Sequence, residues 1–184
     1  MDAFEQLVSE ILWMEGYWVR TSVKVDLTKE EKRLIGRHSS PRWEIDIVAY
    51  KGGENLLRIV ECKSYFDSTG VRASAFDGSN PDHAKRYKLF NDAQLRRVVF
   101  NRLCLQLAAS GACGNAPKIQ LSLAAGKVRN DGDRAAIHAY FEEQGWELWD
   151  EAWLRERLRS MAQQGYENQV SAVVSKLLLR GKVD

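Results

Sequence analysis

Two short runs of β-type residues around a glycine turn constrain the fold more than any other feature of this sequence. The runs are 43–50 and 56–63, and Gly52-Gly53 lies between them. Strand-forming residues on both sides of a short glycine-containing turn predict a β-hairpin. Each run also carries ionisable residues where an ordinary strand has core side chains, so the hairpin is a candidate functional site as well as a folding unit.

The length of the turn decides which of these ionisable side chains meet. Side chains alternate across a strand, so Glu61 and Lys63 share one face. A four-residue loop, 52–55, sets Asp46 directly opposite Glu61, whereas a two-residue loop sets Glu44 there and makes Asp46 a diagonal neighbour. Both registers put Asp46, Glu61 and Lys63 on one face, and a three-residue loop separates them.

Carboxylates that face each other across a sheet repel and destabilise it unless another group offsets the charge. A divalent cation is one such group, and an exposed strand face with a solvated ion pair is the alternative. Oxygen ligands without a nearby His or Cys at ligand spacing favour Mg²⁺ or Mn²⁺ over Zn²⁺. Mg²⁺ binds through one or two carboxylates, and a neighbouring lysine can orient a metal-bound water or stabilise charge at phosphorus.

The order Asp46, hairpin, Glu61-Cys62-Lys63 resembles the motif of the PD-(D/E)xK nuclease superfamily. That superfamily includes many restriction enzymes, Mrr-like enzymes and archaeal Holliday-junction resolvases. Its motif is an Asp on one strand followed by Glu/Asp-x-Lys on the next. Ile45 stands where the family name has Pro, a residue that is dispensable across the superfamily.

The segment Phe4-Glu5-Gln6-Leu7-Val8, with Gly16-Tyr17-Trp18-Val19 after it, resembles the first helix and strand of the Mrr-like, Holliday-junction-resolvase-like branch. This similarity maps the helix glutamate of the family onto Glu5. From the residues alone, Glu5 lies at the edge of the apolar stripe of an amphipathic helix, which is also where a solvated glutamate lies.

The resemblance implies a restriction-endonuclease-like fold, a three-layer α/β/α arrangement with a central mixed sheet. It also implies a Mg²⁺- or Mn²⁺-dependent endonuclease that leaves 5′-phosphate and 3′-hydroxyl ends. Asp46 and Glu61 would bind the metal with the backbone carbonyl of Cys62, Lys63 would assist the attacking water, and Glu5 would hold an outer-sphere water or a second ion. DNA is the expected substrate because most members of the family act on it.

Basic residues on both sides of the motif are candidate phosphate contacts, and a solvated helix face is the alternative for each group. They are Lys29, Lys32, Arg33 and Arg37 before the hairpin and Lys85, Arg86 and Lys88 after it. Trp43, at the start of the hairpin, is the one tryptophan that we consider for stacking on a base or sugar.

Length and composition agree with this interpretation. A chain of 184 residues with a net charge of +2 predicts one domain, 1–184, without a basic nucleic-acid-binding tail. No apolar run is long enough for a membrane span, and the acidic N-terminus does not resemble a signal peptide. The three cysteines form no CxxC pair, which favours reduced thiols and a cytoplasmic protein.

Hydrophobic periodicity predicts alternating helices and strands, the pattern of a layered α/β protein. We expect helices over 2–15, 82–110, 131–144 and 170–179, and strands over 17–27, 118–128 and 146–149, besides the hairpin. Asp150 is expected to cap a further helix that contains Trp153, Leu154 and Leu158. The loop 67–83 is either a substrate-contacting loop or a flexible insertion. The last helix either covers the core or forms a homodimer contact, and Trp13 and Trp18 are expected to anchor the core.

Two other functions remain open at this stage. One is a nucleic-acid-binding or assembly module that keeps the same fold without catalysis, and the intact Asp46, Glu61 and Lys63 argue against it. The other is a different enzyme on an unrelated α/β fold with a fortuitous Glu-x-Lys. Metal-dependent cleavage of supercoiled plasmid, compared with the same protein in chelator, discriminates among the three.

Overall fold

A computed structural model describes residues 2–36, 42–165 and 168–180, and it contains a five-stranded mixed sheet. The strands follow one another across the sheet in chain order. The first three are antiparallel neighbours, and the last two run parallel to the third. They are β1 (Trp18–Val25), β2 (Trp43–Lys51), β3 (Leu56–Lys63), β4 (Lys118–Ala125) and β5 (Glu147–Trp149).

Eight α-helices connect and flank these strands in the described part of the chain. Parallel neighbours require crossover connections, and α5 and α6 provide them between β3, β4 and β5. The helices are α1 (Ala3–Met14), α2 (Lys29–Leu34), α3 (Pro81–Ala84), α4 (Lys88–Asn91), α5 (Ala93–Ala109), α6 (Asp131–Gln144), α7 (Glu151–Gln163) and α8 (Val170–Leu179).

Hydrophobic cores lie on both faces of the sheet. One core joins strand residues such as Leu57 and Ile59 to apolar residues of α5 and α6. The other joins Ile47 and Val60 to residues of α1, α7 and α8. Helices on both faces of a mixed sheet confirm the predicted α/β class and are compatible with a three-layer arrangement. No helix among the described residues has the length and apolarity needed to cross a bilayer.

The predicted long helix over 82–110 is wrong, because the structure divides it into α3, α4 and α5. Tyr87 and Asp92 leave helical geometry, with φ/ψ of −129°/54° and −118°/96°. The Asp92 carboxylate then accepts the Leu95 N–H at 2.9 Å and starts α5 as its N-cap. Apolar periodicity continues across both breaks because Leu89 and Phe90 belong to the same buried core as Leu95.

Two of the expected core tryptophans lie at the surface instead. The side chains of Trp13 and Trp18 are 48% and 82% exposed. Trp18 is the first residue of β1, an edge strand of the sheet. Helix α8 buries only the small residues Ala172 and Ser175 and leaves most of its large aliphatic side chains exposed. A homodimer through this helix stays a prediction.

The hairpin has the register of the four-residue loop. Lys51 pairs with Leu56 and Ile47 with Val60, so residues 52–55 form the connection. Asn55 closes it in the left-handed region, with φ of 46°, and its side-chain Oδ1 accepts the Tyr50 hydroxyl at 2.9 Å. Continuing the same register along the strands sets Asp46 opposite Glu61.

Candidate functional site

Followed from the turn, the backbone pairing between β2 and β3 ends just before Asp46, the first residue of the candidate site. Asp46 and Glu61 do not continue the backbone pairing of Ile47 with Val60. The Asp46 Oδ2 atom instead accepts the backbone N–H of Cys62 at 2.8 Å. The carboxylate therefore lies in the gap between the two strands and satisfies a backbone donor that the ladder leaves free.

Strand β2 changes the face that it buries at Asp46. Ile45 packs in the core that contains α5, whereas Ile47, two residues later, packs in the core that contains α1. Ser22 lies opposite Asp46 on β1, has a positive φ of 51° and takes no part in the otherwise continuous pairing. Strict alternation, from which one shared face was expected, therefore fails at Asp46 itself, and the in-plane carboxylate is the consequence.

Glu61 and Lys63 form a shielded ion pair at the end of β3. Lys63 Nζ lies 2.9 Å from Glu61 Oε1, and the two side chains are 22% and 12% exposed. The Lys63 ammonium also lies 5.8 Å from the ring centroid of Tyr87, a buried residue, within the range of a cation–π contact. Both charges project toward the α3–α5 layer because their strand neighbours Leu57 and Ile59 do so.

Asp46, Glu61 and Lys63 line one cleft of about 290 Å³. The cleft lies at the carboxyl end of β3, where an open α/β sheet usually binds its ligands. Trp43 also lines it, as the stacking hypothesis requires. The complete lining is Trp43, Glu44, Ile45, Asp46, Val60, Glu61, Lys63, Lys85, Arg86, Lys88 and Leu89.

Burial raises the pKa of both carboxyl groups above their ordinary values. For Asp46 the Cys62 N–H and the Lys63 charge oppose the effect of desolvation without cancelling it. For Glu61 the Lys63 charge and hydrogen bond oppose it, and the Asp46 charge adds to it. The pKa of Lys63 is raised as well, because Glu61 and Asp46 outweigh the desolvation that lowers it. One lysine thus faces two desolvated carboxylates, which leaves an excess of negative charge among these three inner groups, whereas Lys85, Arg86 and Lys88 of the lining are exposed.

Glu5 approaches this site from the other side. Burial raises its pKa, and the charge of Asp46 adds to the increase, so the two carboxylates lie within electrostatic range. Its Oε2 atom accepts the Asp2 N–H at 3.2 Å, which makes Glu5 the third helical residue of a capping box. Glu5 does not belong to the cleft lining, and its catalytic role stays a prediction.

The donor set fits a hard divalent cation with few protein ligands. No group of three or more His, Cys, Asp or Glu side chains in the described ranges forms a metal-binding cluster. Two desolvated carboxylates match the one or two that Mg²⁺ commonly takes from protein. The N–H and C=O of one strand residue point to the same side. The Cys62 carbonyl therefore points into the gap that holds Asp46 and is a candidate third oxygen ligand.

The predicted phosphate-binding residues divide into two groups in the structure. Lys85, Arg86 and Lys88 line the cleft. Lys29, Lys32 and Arg33 lie on α2 and do not line the cleft. A bidentate ion pair between Glu31 and Arg102 joins α2 to α5. Arg37 lies outside the described residues. The role of each of these residues stays a prediction.

The sequence interpretation missed two aromatic residues near Lys63, Tyr65 and Tyr87. Tyr87 contacts Lys63, and burial together with a hydrogen bond to Tyr65 raises its pKa. The sequence interpretation also missed the acidic residue Asp2, whose charge contributes to the raised pKa of Asp46. The Lys63-x-Tyr65 spacing could have indicated Tyr65, whereas nothing in the sequence connects Tyr87 with the motif strand.

Asp46→Asn is expected to stabilise the protein at neutral pH in chelator, by about 1 kcal/mol or about 2–4 °C in Tm. A raised pKa means that the protonated form favours folding, and that this stability is lost as pH rises through the folded-state pKa. Asn mimics the protonated form and retains an acceptor for Cys62 N–H.

Thermal melts from pH 4 to pH 8 test this expectation, with the exposed Asp67→Asn as the matched control. The Asn variant's advantage should shrink toward low pH, where wild-type Asp46 becomes protonated. A destabilised Asp46→Asn protein at pH 8 would contradict the proposed excess of negative charge.

A comparison of the chain with protein-family models, curated proteins and solved structures gives no match. Function therefore has to be argued from the chemistry of the cleft and from the resemblance of its motif.

Proposed function

We propose that this chain is a metal-dependent nuclease that hydrolyses phosphodiester bonds, most readily in DNA. The observation that carries the proposal is the pair of desolvated carboxylates, Asp46 and Glu61, beside Lys63 in one cleft. A cleft with an excess of buried negative charge attracts a divalent cation, and a rim of basic residues attracts phosphate.

Bound Mg²⁺ or Mn²⁺ would activate water and neutralise charge at the phosphorus. Asp46 and Glu61 are the residues proposed to hold it, with the Cys62 carbonyl as a further oxygen ligand. Lys63 is proposed to orient the attacking water and to stabilise the charge that develops on the phosphate oxygens. Glu61 keeps the Lys63 ammonium in place, because the two groups lie 2.9 Å apart.

Membership of the PD-(D/E)xK superfamily is part of the proposal. The support is the order α1, β1, β2, β3, α5, β4, α6, β5 of the main elements, with the short helix α2 inserted between β1 and β2 and the short helices α3 and α4 before α5. Asp46 on β2 and Glu61-Cys62-Lys63 at the end of β3 add to it. A restriction-endonuclease-like fold follows from the same resemblance. Fold order alone does not imply catalysis, so the proposal depends on the cleft.

The basic rim provides a prediction about binding. Replacing Lys85, Arg86 and Lys88 together by Gln is expected to weaken DNA binding by about 10²-fold and to reduce the salt slope by about two to three. The matched triple replacement of Lys29, Lys32 and Arg33 removes the same charge from α2. Binding measured in chelator over a salt series decides whether both groups or only the cleft group contact phosphate, and an unchanged cleft variant would contradict the proposed rim.

Incubation with supercoiled plasmid tests the function itself. We expect nicked and linear products in Mg²⁺ or Mn²⁺ and none in chelator, and branched and single-stranded substrates extend the same assay. Protein that binds DNA but cuts none of these substrates would contradict the nuclease proposal and favour a non-catalytic binding module. Cleavage that persists in chelator would contradict the metal.

A further inference from the structure

A second polar pocket adjoins the cleft, and we infer that it binds a phosphate group of the same nucleic-acid strand, next to the one at Lys63. This inference rests on the proposed function. The pocket has a volume of about 260 Å³ and shares Arg86 with the cleft. Its lining is Tyr65, Ser68, Thr69, Gly70, Arg72, Ala75, His83, Arg86 and Tyr87.

The charge of this pocket is positive and unbalanced. Arg72 and Arg86 both line it, and the lining contains no carboxylate. Neither guanidinium forms an ion pair with an acidic side chain in the described part of the chain; Arg72 donates only to Thr69 Oγ1, at 3.2 Å. Two guanidinium groups without a counter-charge match a phosphate, whose oxygens accept their paired N–H donors.

Hydroxyl and imidazole groups complete the pocket. The hydroxyl-bearing residues Ser68, Thr69 and Tyr65 line it beside the two arginines. His83 is held in position because its Nδ1 lies 2.8 Å from Ser74 Oγ. Hydroxyl and imidazole groups around guanidinium suit an oxyanion better than an apolar ligand or a cation.

The backbone that forms the pocket belongs to the loop 67–83 and is anchored to neighbouring segments. This anchoring argues against the alternative that the loop is a flexible insertion. Val71 pairs with Val128 in an isolated parallel bridge, and Lys127 Nζ donates to the Ser68 carbonyl at 2.7 Å. Gly70 has φ of 87°, and a Cβ there would lie 2.9 Å from two backbone atoms of residues 127–129. Close packing of this kind holds Thr69 and Arg72 in place before a ligand arrives.

The pocket is also linked to the catalytic lysine. Tyr65 follows Lys63 by two residues, and the Tyr87 ring lies beside the Lys63 ammonium while it lines the pocket. Arg86 forms a wall of both cavities. A polynucleotide strand with one phosphate at Lys63 can therefore pass Arg86 and present a neighbouring phosphate to Arg72. The ligand that we infer for this pocket is thus part of a phosphodiester strand.

Binding of a labelled oligothymidylate in chelator, measured by fluorescence anisotropy over a salt series, tests the inference. Arg72→Gln should bind about tenfold more weakly and lower the salt slope by about one, whereas Arg72→Lys should retain the slope. Arg155→Gln removes the same charge from the exposed surface of α7 and should match wild type. Arg72 makes a single side-chain hydrogen bond, so we expect each variant to fold. Thermal melts of each variant check that its Tm stays close to that of wild type.

Arg72→Gln protein with the affinity and salt slope of Arg155→Gln would overturn the inference. Stabilisation of wild type by inorganic phosphate, without any Arg72 effect on the oligothymidylate, would also overturn it and indicate a site for free phosphate. Because the assay contains no metal, it is independent of cleavage. If binding depends on Arg72 but no substrate is cleaved, only the proposed nuclease activity is contradicted. If substrate is cleaved but binding does not depend on Arg72, only the proposed phosphate subsite is contradicted.

Discussion

Glu61→Gln and Lys63→Met are expected to lose about 10²–10⁴-fold in the rate of plasmid cleavage while they still fold and bind DNA. Both residues act on the metal-bound water and on charge that develops in the transition state, so their loss affects the rate more than the affinity. Glu61→Gln should also bind DNA more tightly in chelator, because it removes a buried carboxylate that repels phosphate.

The measurement pairs nicking in Mg²⁺ with DNA binding in chelator for wild type and both variants. Lys51→Met is the matched control, because Lys51 pairs with Glu54 at the far end of the hairpin. Variants that cut as fast as wild type would end the proposed mechanism. Loss of binding together with cleavage would assign the two residues to substrate affinity instead.

Gly126→Ala is expected to destabilise the protein by about 3 kcal/mol, or roughly 6–12 °C in Tm. A Cβ at Gly126 would lie 2.2 Å from the Ser64 carbonyl oxygen and under 3 Å from the Phe66 ring. The Gly126 N–H also donates to the Lys63 carbonyl at 2.9 Å. The backbone after Lys63 must therefore shift, and cleavage should fall with stability.

Thermal and denaturant unfolding measure this effect. Gly53→Ala provides the control, because a Cβ at Gly53 meets no atom within 4 Å. We expect the control to change the free energy of unfolding by less than about 0.5 kcal/mol. A Gly126→Ala protein as stable as wild type would show that the close approach of β3 and β4 at their carboxyl ends tolerates a methyl group.

Local signals in the sequence predicted those elements that have clear ends. Helix α6 matches the expected range because Asn130 caps its start and Gly145, with φ of 70°, ends it. The start of α7 follows from Asp150, whose carboxylate accepts two backbone N–H groups. The break of the helix over 82–110 was missed, since no proline or glycine marks Tyr87 and apolar spacing continues past it.

The candidate site was predicted in composition but not in orientation. The four-residue loop is one of the registers that the spacing allowed, and Asp46, Glu61 and Lys63 line one cleft, although the strict alternation behind the prediction fails at Asp46. The change of face at Asp46 coincides with an interruption of the β1–β2 pairing at Ser22, a long-range feature that periodicity cannot encode. Arg72 belongs to the loop 67–83, where no periodic pattern applies, so its approach to the cleft follows only from tertiary packing.

Anomalous diffraction from crystals soaked in Mn²⁺ tests the proposed metal site most directly. We predict a peak between the carboxylates of Asp46 and Glu61, about 2.1 Å from an oxygen of each, and its loss in Asp46→Asn. A peak at another position would contradict the account. So would saturating Mn²⁺ with no peak, with Asp46 still bonded to Cys62 N–H and Glu61 still paired with Lys63.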